Sequence, residues 1–168
     1  SGSVMASMDV FDITITGQGC HGGMPHLGVD PVTIAGQLIT SMQSIISRTM
    51  NPQQSGVISI TRMKGGEAYN VVPDSATLSG TCRAFSPDTQ DLNETRMHRM
   101  VERICQAYGA SGVLDYRRVY PSTVNDPEHA DICAEVATRL VGTEQVDRSP
   151  DPSMGAEDLS FMLNKRPG

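Results

Sequence analysis

The chain has no tryptophan and only 4% aromatic residues. Its core must therefore be filled by aliphatic side chains and by methionine, of which there are 10. The four cysteines, Cys20, Cys82, Cys105 and Cys133, are scattered without a C-x-x-C pair. That spacing argues against a zinc ribbon or a disulfide framework and leaves reduced thiols as the default. Basic residues are few and dispersed along the sequence, 13 Lys and Arg against 19 Asp and Glu, for a net charge of −6. Such a balance gives no footprint for nucleic acid. No apolar run approaches the roughly 20 residues that cross a bilayer, and the N-terminus has no charged stretch leading into an apolar one. The expectation is a cytoplasmic protein with neither a membrane nor a nucleic-acid partner. Histidines are also sparse, 4 in all, with no H-x-x-x-H pair and no obvious third ligand to make a metal site. His98 and His129 read as helix-surface residues, and Glu157-Asp158 as acidic residues at the start of a short helix.

A chain of 168 residues suits one domain, or a small domain with part of another. From Asp9 to Thr16 apolar and polar residues alternate, with Phe11, Ile13 and Ile15 on one face, as in a strand covered on one side. After a glycine-rich loop, Asp30 and Pro31 open a helix on which Ile34, Leu38, Met42, Ile45 and Ile46 recur. Gly56 to Met63 reads as a second strand. From Ser75 a third separates a small apolar face (Ala76, Leu78, Gly80, Cys82, Ala84) from a polar one ending in Arg83. Ser86-Pro87 starts a second helix, with Met97, Met100, Val101, Ile104, Cys105 and Tyr108 in register and Gly109 as its stop, and Val113 to Tyr120 makes a fourth strand.

The order strand, helix, strand, strand, helix, strand predicts a ferredoxin-like α+β domain over residues 9–120, with a four-stranded antiparallel sheet and two helices on one face. Residues 1–8 read as an incoming connector and Pro121 to Asn125 as a linker. A helix from Asp126-Pro127 to Gly142 should turn Ile132, Cys133, Val136, Ala137, Leu140 and Val141 inward. Cys82, Cys105 and Cys133 all fall on apolar faces and are expected in the core. Residues 121–168 look too few for a core of their own.

The most shaped segment runs from Gly17 to Pro31, where five glycines and two prolines hold His21 and His26 between a strand and a helix. Four stretches then carry a resemblance. Gly19 to Pro31 (GCHGGMPHLGVDP), Gly65 to Asp74 (GGEAYNVVPD), Gly80 to Phe85 (GTCRAF) and Gly155 to Phe161 (GAEDLSF) resemble, in order and spacing, the dinuclear-metal aminoacylase/carboxypeptidase family. Its hippurate hydrolases and N-acyl or indole-acetyl amino acid amidohydrolases are the group they are most similar to. The resemblance implies that residues 9–120 are the lid and dimerisation domain of such an enzyme and 121–168 part of its metal-binding domain. It implies that His21 reaches the active site of a partner subunit in a homodimer and polarises the scissile carbonyl, while Asn70 and Arg83 grip the carboxylate of an N-acyl amino acid. His26 would brace the loop. The parent would hold two divalent ions, zinc or manganese. This stretch should hold none, because the family's Cys/His motif, paired glutamates and C-terminal histidine segment have no counterpart in it. The rival reading is a non-catalytic dimerisation or small-ligand-binding module on the same fold.

Overall fold

A computed structural model describes residues 2–168. The chain runs through strands β1 (Gly2–Met5), β2 (Met8–Thr16) and β3 (Cys20–His21), then helix α1 (Pro31–Ser44) and strands β4 (Gly56–Gly65), β5 (Val71–Val72) and β6 (Ser75–Ala84). Helix α2 (Pro87–Ala107), strands β7 (Ser111–Tyr120) and β8 (Thr123–Asn125), and helices α3 (Pro127–Val141) and α4 (Leu159–Leu163) follow. Four strands form one antiparallel sheet in the order β4-β6-β2-β7, the ferredoxin-like arrangement expected from the element order.

The alternation along each strand decides which face is covered. Phe11, Ile13 and Ile15 of β2 join Ala76, Leu78 and Cys82 of β6 and Leu114 of β7 beneath α1 and α2. From the helices come Ile34, Ala35, Leu38, Met42 and Ile45, and Met97, Val101 and Cys105. With no tryptophan in the chain, the one aromatic ring fully inside this core is Phe11. It lies opposite Gly80, where a Cβ would come within 2.5 Å of the Phe11 ring and against the Ser59 carbonyl. The small residues of β6 thus make room for a ring from the neighbouring strand as well as for the helices above.

Caps fix where the helices begin. Asp30 accepts from the Val32 N–H at 2.9 Å, Ser86 from Thr89 N–H at 3.2 Å, and Asp126 from Glu128 and His129 N–H at 3.0 and 3.1 Å. Pro31, Pro87 and Pro127 each take the first helical position, and Gly109 closes α2 with φ +75°.

At the end of the sheet where the chain enters and leaves, a carboxylate is buried. Asp9 is 1% exposed and accepts hydrogen bonds from Gln90 Nε2 and Tyr116 Oη, both at 2.6 Å. Burial pushes its pKa above the ordinary carboxylate value, with the two hydrogen bonds opposing, and the same burial pushes the Tyr116 phenol up. Cys82, buried beside them, is pushed up to about 12 and is an inert core thiol.

Residues outside the sheet depart from the expectation in several places. Gly2–Met5 and Thr123–Asn125, within the stretches read as connector and linker, pair as a two-stranded antiparallel ribbon, β1 with β8, bridged at Met5 to Ser153. Their short, mixed sequences carry no clean alternation that would have revealed it. Helix α3 forms with the expected bounds, yet Ile132, Val136 and Leu140 are 51%, 49% and 79% exposed, and Cys133 is exposed too. Among the described residues no layer packs over that stripe, so an apolar face that reads as inward lies open. Asp158 stands at the start of α4 without a side-chain cap, because the residue sits in helical conformation there. Instead α4 is held by Phe161 against Tyr120, their rings 5.8 Å apart.

Candidate functional site

The glycine loop and the loop before β6 are sewn together at the far end of the sheet. Cys20 and His21 pair with Val72 and Val71, and the Gly22 N–H donates to the Asn70 carbonyl at 2.7 Å. Asp74 completes the join. Its carboxylate accepts from the Gly19 N–H at 2.8 Å and its backbone carbonyl from the Gly17 N–H at 2.9 Å. The loop's glycines answer to close approach rather than to left-handed backbone, for none between Gly17 and Gly28 has positive φ. A Cβ on Gly28 would lie 2.5 Å from the Gln18 carbonyl and 2.7 Å from Cys20 Sγ.

Two of the three expected site residues meet here. His21 is exposed, and its Nδ1 accepts from the Gly23 N–H at 3.0 Å. In the neutral ring that bond puts the proton on Nε2, which is left as a free donor. Asn70 lies alongside through the Gly22 hydrogen bond, its own amide exposed and without a hydrogen bond among the described residues. Cys20, the next residue on β3, occupies the opposite side of the strand from His21, so the two do not form a thiolate–imidazole pair.

Arg83 is elsewhere. It lies at the other end of β6, on the helix-free face opposite Val57. Eight positions of strand at about 3.3 Å each separate it from Ser75, roughly 25 Å. The Arg83 end is where the chain crosses to the ribbon and α3: Ser7 N–H donates to the Ala84 carbonyl at 2.7 Å, and Ala6 N–H to Ser153 at 3.0 Å. Arg83 is half-buried and forms no side-chain hydrogen bond or ion pair among the described residues. His26 does not brace the loop. It is exposed on a short turn, Pro25–Leu27, with no side-chain hydrogen bond among the described residues, and Asp74 does the bracing instead. In the sequence Asp74 stands only within the GGEAYNVVPD stretch, where an Asp after Pro in a polar loop is its one signal.

Residues 7–110 match the model of the peptidase dimerisation domain of M20 enzymes. The chain belongs to the M20 family. It is 38% identical over 167 residues to the N-acetylcysteine deacetylase of Bacillus subtilis (strain 168), covering 99% of this chain and 43% of that protein. It is 36% identical over 165 residues to the hippurate hydrolase of Campylobacter jejuni, covering 98% and 43%. Among solved structures, the Bacillus subtilis YXEP protein, described as a dinuclear metal-binding peptidase from the M20 family, superposes with a TM-score of 0.79 at 32% identity. That superposition covers 100% of this chain and 40% of that one. The chain thus spans less than half the length of these M20 relatives. Among the described residues no three His, Cys, Asp or Glu side chains converge. No described helix is long and apolar enough to cross a membrane.

Proposed function

We propose that this chain is the lid of a metal-dependent amidohydrolase that cleaves the amide bond of N-acyl amino acids and acts as a homodimer. Residues 9–120 form the lid, and 121–168 are part of the metal-binding domain. The two divalent ions, zinc or manganese, would be held by parts of the parent outside this chain. The observation that carries the reading is the short β3–β5 ladder, which presents His21 with Nδ1 occupied and Nε2–H free, next to Asn70.

Each residue then has work its chemistry suits. The Nε2–H of His21 donates to the carbonyl oxygen as negative charge develops on it, a contribution felt mainly in the transition state. The planar guanidinium of Arg83 and the amide of Asn70 hold the substrate carboxylate. Because Arg83 lies at the base of the sheet and His21 and Asn70 at its tip, one lid cannot bring all three to one small substrate. The arrangement calls for Arg83 from one subunit and the tip of its partner. The family's dimerisation domain and the open edge strand β4, whose residues from Thr61 to Gly65 are exposed, support the twofold. The same two observations favour a second reading for the isolated chain, a dimerisation module, which is compatible with the first.

Kinetics of the full-length parent on hippurate tests the assignment. His21→Ala should lower kcat by about a hundredfold with little change in KM. Arg83→Ala should mainly raise KM, by about 2 kcal/mol of lost binding. A His21→Ala enzyme with unchanged kcat would remove the residue from the reaction.

A further inference from the structure

On the helix side of the sheet, where the last turns of α1 meet α2, a groove of about 460 Å³ is floored by Ile45, Met100 and Ile104 and rimmed by Arg96, Arg99 and Arg103. Basic residues that look dispersed in sequence are gathered here by helical spacing, at i, i+3 and i+7 of one stripe. That stripe sets like charges beside one another, which a helix tolerates at a cost unless something offsets it. Nothing in the chain does so for Arg96 and Arg99, which have no hydrogen bond or ion pair among the described residues. Arg103 reaches only Gln106 at 3.2 Å and Glu102 at 3.9 Å. Arg118 is the contrast: Asp91 and Glu94 of the same helix clamp it at 2.6 and 2.5 Å.

Nor do the arginines cap the end of α1. Carbonyls there are taken by local donors, Ser44 Oγ to Ser41 O of α1 at 2.6 Å, and Thr49 Oγ1 and Met50 N–H to Ile45 O of the helical turn that follows, Ile45–Thr49, at 2.7 and 3.1 Å. The groove lies near the end of a helix that starts beside the glycine loop and rises about 1.5 Å per residue, so His21 and Asn70 are roughly 20 Å away. Arg83 is on the opposite face of the sheet.

We propose that this groove binds a small amphipathic organic anion, a carboxylate carrying an aromatic or short aliphatic body. A guanidinium fork, which Arg99 and Arg103 each carry, pairs with a carboxylate through two parallel hydrogen bonds, and the volume is that of small-ligand pockets. An inorganic anion would leave the Ile45–Met100–Ile104 floor bare, and a neutral apolar molecule would leave the arginines unmatched. This ligand is additional to the substrate of the proposed hydrolase, and its test does not read activity.

Amide NMR of the 168-residue chain at pH 7 and low ionic strength, titrated separately with benzoate, hexanoate, inorganic phosphate and benzyl alcohol, decides it. Benzoate or hexanoate should shift amides around Ile45, Met100 and Ile104 saturably, at about tenfold lower concentration than phosphate or benzyl alcohol. Arg99→Gln/Arg103→Gln should raise the half-saturating concentration about tenfold without lowering the thermal midpoint, since it relieves repulsion. Ile104→Glu, which places a carboxylate in the floor, should abolish the shifts and serves if the double variant does not fold. The proposal is overturned if phosphate binds as well as benzoate, if both variants bind as the parent chain does, or if the shifts map to His21, Asn70 or Arg83.

Discussion

Asp9 is a carboxylate placed where water does not reach, and its behaviour with pH follows from that. Its folded-state pKa lies above the unfolded value of 3.8 because burial penalises the charge more than Gln90 and Tyr116 stabilise it. The stability it contributes is therefore fully present below pH 3.8 and is lost as pH rises through the folded pKa. Asp12 has the opposite sign, since hydrogen bonds from Ser79 and Arg117 hold its pKa below the usual range and its contribution disappears on acidification. Comparing wild type with Asp9→Asn cancels Asp12 and isolates Asp9. Urea unfolding over a pH series should show wild type losing stability relative to Asp9→Asn as pH climbs above 3.8, and parallel profiles would contradict the assignment. In sequence Asp9 looks like the polar start of a strand. The alternation that turns Phe11, Ile13 and Ile15 inward puts Asp9 on the same face, and its partners Gln90 and Tyr116, 81 and 107 positions away, are what the sequence conceals.

At the scale of elements, period-two and period-three-to-four patterns carried the fold where one face is buried. The strands β2 and β6 and the helices α1 and α2 were legible because each hides a stripe against another element of this chain. The β1–β8 ribbon and the β3–β5 ladder were not legible, since pairs of two to four residues are specified by long-range partners rather than by pattern. For α3 the pattern was legible and its burial was not, because amphipathicity states only that a face wants a partner. The tight fit of Gly80 against Phe11 gives an element-level expectation. Gly80→Ala should destabilise the domain by about 1–3 kcal/mol through overpacking, read from the urea midpoint. Thr77→Ala, on the exposed face of the same strand, should change it by less than about 0.5 kcal/mol. Equal effects would mean that the glycine contact relaxes without strain.

Across the whole molecule, the site residues named by motif divide between two ends of one sheet, a separation that strand register shows and sequence spacing conceals. Arg83 is only 13 positions after Asn70 in sequence, yet β6 carries it roughly 25 Å from the tip. If the parent's site joins Arg83 of one subunit to His21 and Asn70 of the other, mixed dimers must behave unlike either homodimer. A His21→Ala subunit retains Arg83, and an Arg83→Ala subunit retains His21. In the heterodimer one site then receives both wild-type residues and the other receives neither. Mixing the two variants of the full-length parent after subunit exchange should restore activity toward about a quarter of wild type, since half of the dimers are mixed and each has one complete site. A same-subunit arrangement would leave every site with one lesion, and the mixture would show only the average of the two variants. Exchange verified by native mass spectrometry with activity no higher than that average would place His21 and Arg83 in one subunit's site, against the distance between them along β6.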